Sequence, residues 1–251
     1  MRFDIITLFP DLFGPFLSTG INRKAFESGL VDVQLHNPRD FAPGNYRRVD
    51  DRPFGGGPGM VMMAQPLTDC LAHVRAQRAE PQPCPVVLFS PLGPTLNHAR
   101  VQSWAHSAGA VLICGRYEGL DQRFIDTHVD LQLSLGDFVL SGGEVAAMAL
   151  LDAVARLQPG VLNDQDSHQQ DSFNPALDGL LDCPHYTRPE LWEGQGVPEV
   201  LLSGHHERIE TWRRQQRLAI TAQQRPDLIS AARQAGRLTP GDEAWLASLA
   251  P

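Results

Sequence analysis

Ser134-Leu-Gly-Asp-Phe-Val-Leu-Ser-Gly-Gly-Glu144, with the run Val145-Ala-Ala-Met-Ala-Leu-Leu-Asp-Ala-Val-Ala-Arg-Leu157 that follows it, decides the fold of this chain. The second run is apolar on nearly every face, so it predicts a helix buried inside a domain. Gly142 and Gly143 stand at its N-terminus, where the unpaired N–H groups of a helix collect. Gly136, Gly142 and Gly143 permit positive φ and let another group come close to bare backbone, while Phe138, Val139 and Leu140 set apolar side chains between them. Two readings stand side by side. The stretch is a tight strand-to-helix turn packed on a core, or it is a loop whose backbone grips a flat, polar ligand such as a purine.

Upstream, strand-like and helix-like segments alternate. Phe3-Asp-Ile-Ile-Thr-Leu-Phe9 reads as a buried strand stopped by Pro10, a helical stretch reaches about Gly29, and Val31–His36 alternates like a second strand. Pro66 suits the first turn of a helix running to about Arg78. Pro85–Phe89, Ala110–Cys114 and Asp130–Ser134 read as further strands. Between them lie a helix over Asn97–Ser107 and a short one, capped by Asp121, that ends at His128. This alternation predicts an α/β domain with a mainly parallel sheet. Its last three strands feed the loops Ser90–Pro94, Gly115–Gly119 and Leu135–Gly143, and ligands of such sheets sit beyond the strands' C-terminal ends. Asp51-Arg-Pro-Phe-Gly-Gly-Gly-Pro-Gly-Met60 is a surface loop. It is no P-loop, since no Lys-Ser/Thr follows the glycines, and no GxGxxG follows the first strand, which argues against a dinucleotide fold or the common Rossmann-type methyltransferase.

Pro159-Gly160 ends the helix, and the composition then changes. Residues 163–175 are polar and read as a linker or lid; 181–192 is irregular; helices are predicted over His206–Gln224, Pro226–Gln234 and Pro240–Leu249. The organisation predicted is a ligand-binding domain over 1–160, an interdomain linker or lid over 161–176 and a small helical domain over 177–251.

A net charge of -8 argues mildly against a nucleic-acid binder, but the distribution matters more than the total. Arg47, Arg48 and Arg52 form one basic patch, diluted by Asp50 and Asp51. Arg208, Arg213, Arg214, Arg217 and Arg225 lie in the run from His205 to Arg225, against Glu207 and Glu210; a solvated helix face is the commoner cause of such a run. Cys70, Cys84, Cys114 and Cys183 are widely spaced and read as reduced thiols. No apolar run is long enough to cross a bilayer, and Met1-Arg-Phe-Asp lacks the layout of a signal peptide, so a cytoplasmic protein with no membrane association is expected. The nine histidines show no ligand spacing, and His205-His206-Glu207 is a weak metal candidate.

Five strings carry a resemblance: Asp50-Asp-Arg-Pro-Phe-Gly-Gly-Gly-Pro-Gly-Met60, Cys114-Gly-Arg-Tyr-Glu-Gly119, Leu135-Gly-Asp-Phe-Val-Leu-Ser-Gly-Gly-Glu144, Asp171-Ser-Phe173 and Leu181-Asp-Cys-Pro-His-Tyr-Thr-Arg-Pro-Glu190. In this order, the chain resembles the bacterial tRNA (guanine-N1)-methyltransferases, SPOUT-class enzymes that modify the guanine 3′ of the anticodon. The resemblance implies an α/β fold with a deep trefoil knot, a rare exception to the rule against threaded chains. It implies S-adenosyl-L-methionine held bent in the knot loops, tRNA as substrate, and a homodimer sharing each active site between chains. It implies a dependence on Mg²⁺ for which the sequence names no site.

Carried over by position, the cofactor contacts are Ser90, Pro91 and Gly93, then Gly115, Tyr117 and Glu118, then Leu135, Gly136, Asp137, Phe138, Val139, Leu140, Gly142 and Gly143. Asp171 matches the proposed general base and Arg156 an arginine important for catalysis. Phe138 stands where relatives carry tyrosine, and the segments flanking Asp171 differ from the family in length and content.

Guanine N1 carries a proton at neutral pH and is a poor nucleophile while it does. Methylation there calls for a carboxylate near N1 and a cation near O6, the roles that fit Asp171 and Arg156. Each has a plainer reading. Arg156 follows Asp152 by four residues and pairs with it along the helix; Asp171 is a solvated loop acid. Glu118 faces the cofactor's positive charge or caps the next helix, and Tyr117 stacks or merely packs. Arg208, Arg213, Arg214 and Arg217, with the Arg47–Arg52 loop, are the expected phosphate contacts. Two other functions stay open, a SPOUT methyltransferase for a different RNA position and a non-enzymatic purine-binding module. Asp171-Ser-Phe173 and the Leu181–Glu190 string weigh against the first of these.

Overall fold

The computed structural model describes residues 1–78, 84–162 and 167–249. They fall into two compact units, Met1–Asn163 and Asp164–Pro251. Asp164 and Asp166, which belong to the expected linker, lie outside the described residues.

The first unit is built on five parallel strands, β1 (Arg2–Ile6), β2 (Asp32–His36), β5 (Val86–Phe89), β6 (Gly109–Ile113) and β7 (Leu131–Leu133), in the order β2-β1-β6-β5-β7. Every pairing is parallel, and both sheet faces are covered, which explains why the central strands read as nearly unbroken apolar runs. Side chains alternate between two cores. Phe3, Ile5, Val87, Ala110 and Leu112 pack on one side with α6 (Glu144–Ala155). Ile6, Val86, Leu88, Val111 and Ile113 pack on the other with Leu67, Leu71 and Val74 of α3 (Ala64–Gln77) and Phe124 of α5 (Gln122–His128). The all-round apolar helix is buried as predicted, with Ala146, Ala147, Leu150, Leu151, Val154 and Ala155 inside.

Local signals set the boundaries. Asp121 caps α5 by accepting from the Arg123 N–H (3.0 Å), and Asn97 caps α4 (His98–Ala105) by accepting from that of Arg100 (3.0 Å). The single helix expected before Gly29 is two, α1 (Phe13–Ser18) and α2 (Arg23–Glu27); Gly20 between them lies at φ +73, which interrupts helical backbone. The glycine-rich loop is closed at its base by a two-residue antiparallel ribbon of β3 (Asp50–Asp51) and β4 (Val61–Met62).

One charge within the strand pattern is fully buried. Asp4 takes Arg2 (2.7 Å), His36 (2.8 Å) and Arg78 on its two carboxylate oxygens. Burial alone would push its carboxyl up; the hydrogen bonds from His36 and Arg2 and the charges of Arg2 and Arg78 outweigh that and hold it below the usual range. Cys70, Cys84, Cys114 and Cys183 form no disulfide, and burial, helped by Asp40, pushes Cys70 up to about 12, well away from reactive thiolate.

The second unit is small and mostly helical. After a two-residue hairpin of β8 (Leu191–Trp192) and β9 (Gln195–Gly196) come α7 (Glu199–Leu202), α8 (His206–Gln224), α9 (Pro226–Gln234) and α10 (Pro240–Ser248). Its core joins Leu180, Leu218, Ile229 and Ala232. Residues before the hairpin are tied to it, as the Leu181 N–H donates to Thr221 Oγ1 (3.0 Å). Arg214 holds Asp242 with two hydrogen bonds (3.0 and 2.9 Å) and Asp178 with a third (2.7 Å), and Asp242 also closes a capping box with Thr239.

The Arg214 hydrogen bond, together with the Thr239 contacts, lowers the Asp242 carboxyl from 3.8 to about 2. A depressed folded-state value stabilises the fold above the unfolded value, and that contribution disappears as pH falls through the folded one. Asp242→Asn is therefore expected to cost about 2 kcal/mol at neutral pH. Urea unfolding at pH 7 and at pH 3 checks this: the gap from wild type must narrow in acid.

Candidate active site

Three neighbouring parallel strands, β6, β5 and β7, end on one edge of the sheet, so the loops they feed converge. Together they line a cleft of about 420 Å³, within the range of sites that enclose most of a small ligand. Its lining includes Ser90, Pro91, Gly115, Tyr117, Glu118, Leu135, Phe138, Val139, Leu140, Gly142 and Gly143. Gly93, Gly136 and Asp137 were expected there too and do not line it. Gly93 serves behind the wall: a Cβ on it would sit 2.3 Å from the Gln132 carbonyl carbon. The loop it belongs to runs beside the end of β7, with the Ser90 N–H donating to Leu133 O (2.8 Å) and the Leu96 N–H to Ser134 O (2.8 Å).

The glycines before α6 work differently from the expectation of positive φ. Gly143 has φ -77 and is the N-cap of α6, while a Cβ on it would lie 2.8 Å from Cys114 Cα. Its N–H donates to Gly115 O (3.0 Å), so the β7–α6 loop lies directly against the end of β6. A Cβ on Gly142 would meet Arg116 Nε at 2.3 Å. Close approach, not a left-handed backbone, demands glycine at both positions.

Several lining residues carried no signal in the sequence. Leu88, Leu120, Ile125 and Gln132 are ordinary core or turn residues until topology brings them to one edge. Arg116 lies in the expected ligand loop Gly115–Gly119, and its side chain contacts Glu144 and the Ser141 carbonyl. The glycine-rich loop is also attached here. The Glu118 N–H donates to Met60 O (3.0 Å), the Met62 N–H to Gly119 O (2.9 Å), and a Cβ on Gly59 would strike the Glu118 side chain at 2.3 Å. Tyr117 is half exposed at φ +61, an unusual backbone state for a non-glycine residue, and its hydroxyl accepts from Arg39 Nη2 (3.4 Å).

Arg156 is the half-buried C-cap of α6, and its N–H donates to Asp152 O (3.2 Å). The Asp152 carboxylate accepts from Asn22 Nδ2. In the second unit, Asp171 follows a 3₁₀ turn over Ser167–Gln170 and is half-buried. Its N–H donates to His168 O (3.4 Å), its carbonyl accepts from the Asn174 N–H (3.2 Å), and the buried Asn174 side chain donates to His168 O (2.8 Å). Phe173 adopts φ +70 and is partly exposed, with the Arg225 guanidinium 5.9 Å from the centre of its ring.

The four arginines of α8 divide. Arg208 is exposed, and Arg213 is partly exposed in a surface pair with Glu210 (2.7 Å). Arg214 is committed to Asp178 and Asp242, and Arg217 is buried with its Nε 3.3 Å from Asp182 Oδ1. In the first unit, Arg47 and Arg48 make surface pairs with Asp40 (3.0 Å) and Asp51 (2.6 Å). Among the described residues no group of three or more His, Cys, Asp or Glu side chains could hold a metal ion, and no helix is long and apolar enough to cross a membrane.

Comparison with known proteins covers nearly the whole length of the chain. Residues 1–231 match the family model described as tRNA (Guanine-1)-methyltransferase TrmD. A tRNA (guanine-N(1)-)-methyltransferase of Albidiferax ferrireducens is 75% identical over 99% of both chains. One of Polaromonas sp. is 72% identical over 99% of this chain and 97% of its own, and one of Bordetella pertussis is 58% identical over 100% and 98%. A glycine-walled cleft at three adjacent strand ends, and relatives this similar from end to end, lead to one conclusion: the chain belongs to the tRNA (guanine-1)-methyltransferase family.

Proposed function

We propose that the chain methylates N1 of the guanine immediately 3′ of the anticodon in tRNA, with S-adenosyl-L-methionine as methyl donor. The observation that carries this reading is the cleft itself. Its size suits a nucleoside-containing ligand, bare backbone at Gly115, Gly142 and Gly143 lines it, and the acid Glu118 stands on its rim to meet a cationic group. When bound, the cofactor supplies a methyl group already activated on a sulfonium. The protein's remaining tasks are alignment and removal of the N1 proton.

In this reading Asp171 accepts that proton, and Arg156 directs guanidinium N–H donors at O6, where negative charge develops. Ser90, Pro91, Tyr117, Leu135 and the 138–143 backbone orient the donor, while Gly93 supports the wall from behind. The trefoil knot belongs to the same proposal; the packing of Gly143 on Cys114 and Gly115 supports it. So does a homodimer sharing each active site, supported by the apolar side chains of Phe138, Val139 and Val145, all more than half exposed on the first unit. A magnesium dependence and a cytoplasmic location come with the family and the tRNA substrate, and no protein side chains are assigned to the metal.

The test is methyl transfer from labelled cofactor to tRNA transcripts with G or A just 3′ of the anticodon. Label on the G form alone is expected. Label on both, or on neither, overturns the proposal.

For the RNA surface we propose Arg208 and Arg213 as phosphate contacts, with Arg47, Arg48 and Arg52 on the first unit. Arg214 and Arg217 then keep α8 in place so that it can present the others. Arg208→Ala with Arg213→Ala is expected to reduce the salt slope of tRNA binding by about 1.4–1.8 and leave cofactor affinity unchanged. An unaltered slope in filter-binding titrations removes these two residues from the interface.

A further inference from the structure

Glu144 is a carboxylate with 1% of its surface exposed, at the first turn of α6, and the reaction chemistry gives it no task. Burying a charge is costly unless it is paired and hydrogen-bonded, so its surroundings call for an explanation. Oε1 accepts from Thr7 Oγ1 (2.8 Å) and from Arg116 Nε (3.0 Å). Arg116 Nη2 lies 2.9 Å from Oε2, close enough to pair but out of line for a hydrogen bond. The positive end of the α6 dipole adds to the stabilisation.

Three separate segments meet at this carboxylate. Thr7, fully buried, follows β1, and its hydroxyl also accepts from the Phe9 N–H (3.0 Å). Arg116 belongs to the loop after β6; its Nη1 donates to Ser141 O (3.2 Å), and its guanidinium lies 4.4 Å from the centre of the Phe9 ring. Arg116, Ser141, Gly142 and Gly143 all line the cleft. The atoms that Glu144 fixes are therefore wall atoms of the site, and the absence of a side chain at Gly142 is what leaves room for the Arg116–Glu144 pair.

The geometry points to Thr7, Arg116 and Glu144 as positioning residues, a buried clasp that holds the loop after β6 and the loop before α6 at the separation the methyl donor needs. This rests on the reading of the cleft as the S-adenosyl-L-methionine site.

The experiment is calorimetric titration of the full chain with S-adenosyl-L-methionine, alongside thermal unfolding and methyl transfer. Glu144→Gln keeps the volume and removes the charge. It is expected to weaken cofactor binding by about tenfold, comparable to losing one hydrogen bond to a charged group. At saturating cofactor its transfer rate is expected to stay within about threefold of wild type, the pattern of lost binding rather than lost chemistry. Thr7→Val removes one donor from the same carboxylate and is expected to weaken binding in the same sense, with Thr7→Ser restoring it.

A lowered melting temperature with cofactor affinity within twofold of wild type makes the cluster merely structural and overturns the clasp. Should Glu144→Gln not fold, equal affinities for Thr7→Val and Thr7→Ser overturn it as well. A wild-type chain that takes up no cofactor fails the site reading itself, and the clasp falls with it.

Discussion

Asp171→Asn is expected to lower methyl transfer by about 10²–10⁴-fold, the usual contribution of a positioned general base. Cofactor affinity should stay at the wild-type level. The substitution preserves shape, and the backbone bonds with His168 and Asn174, with the Asn174 side chain on His168 O, help to hold the turn around Asp171. A neutral amide cannot accept the N1 proton, so the loss belongs to the chemical step. Single-turnover transfer with both substrates saturating reads that step directly. An unchanged rate removes Asp171 from the mechanism. A rate that falls together with cofactor affinity makes its role structural.

The second large effect concerns stability. Asp4→Ala is expected to cost about 3–5 kcal/mol at neutral pH, because it leaves Arg78, whose side chain is 4% exposed, without the carboxylate it is buried against. For a chain of this size that is a fall of roughly 10 °C in melting temperature. The pH dependence has a definite sign. The Asp4 carboxyl lies below its usual range, so its contribution is complete at neutral pH and is lost as pH falls through the lowered value. Wild type and variant should therefore converge in acid. Thermal scans at pH 7 in which the two melt together would show that the Asp4 cluster contributes little to stability.

Much of the first unit was legible because its signals are local. Apolar runs of strand length, Asp121 and Asn97 as caps, and the all-round apolar stretch after Gly143 each act within a few residues, and each element appeared close to its expected place. The break between α1 and α2, with Gly20 at φ +73 inside it, was missed because the stretch reads as one helical run despite Ser18-Thr19-Gly20. The two-residue ribbon that closes the glycine-rich loop was missed because pairings so short have no period.

The cleft was half legible. Glycine-bearing loops at the ends of three strands could be recognised one by one, and quoted strings singled out most of the residues that line it. Burial was not legible. Arg214 and Arg217 look the same as Arg208 and Arg213 in a list of arginines, yet two of the four are spent on Asp178, Asp242 and Asp182 inside the second unit. Gly93 matched a cofactor position, and the room it makes for the backbone of β7 was visible only in the structure.

By itself, then, the sequence determined most of the longer strands and helices, which loops leave the strand ends and to which family the chain belongs, because hydrophobic period, glycine and proline placement and motif strings are properties of neighbours along the chain. The tertiary structure alone decided the strand order β2-β1-β6-β5-β7, the burial of Asp4 and the clasp of Thr7, Arg116 and Glu144. Thr7 and Glu144 are 137 positions apart. Whether such a pair forms depends on which strands lie side by side, and the free energy that holds it comes from excluding water at a place that exists only once the sheet has closed.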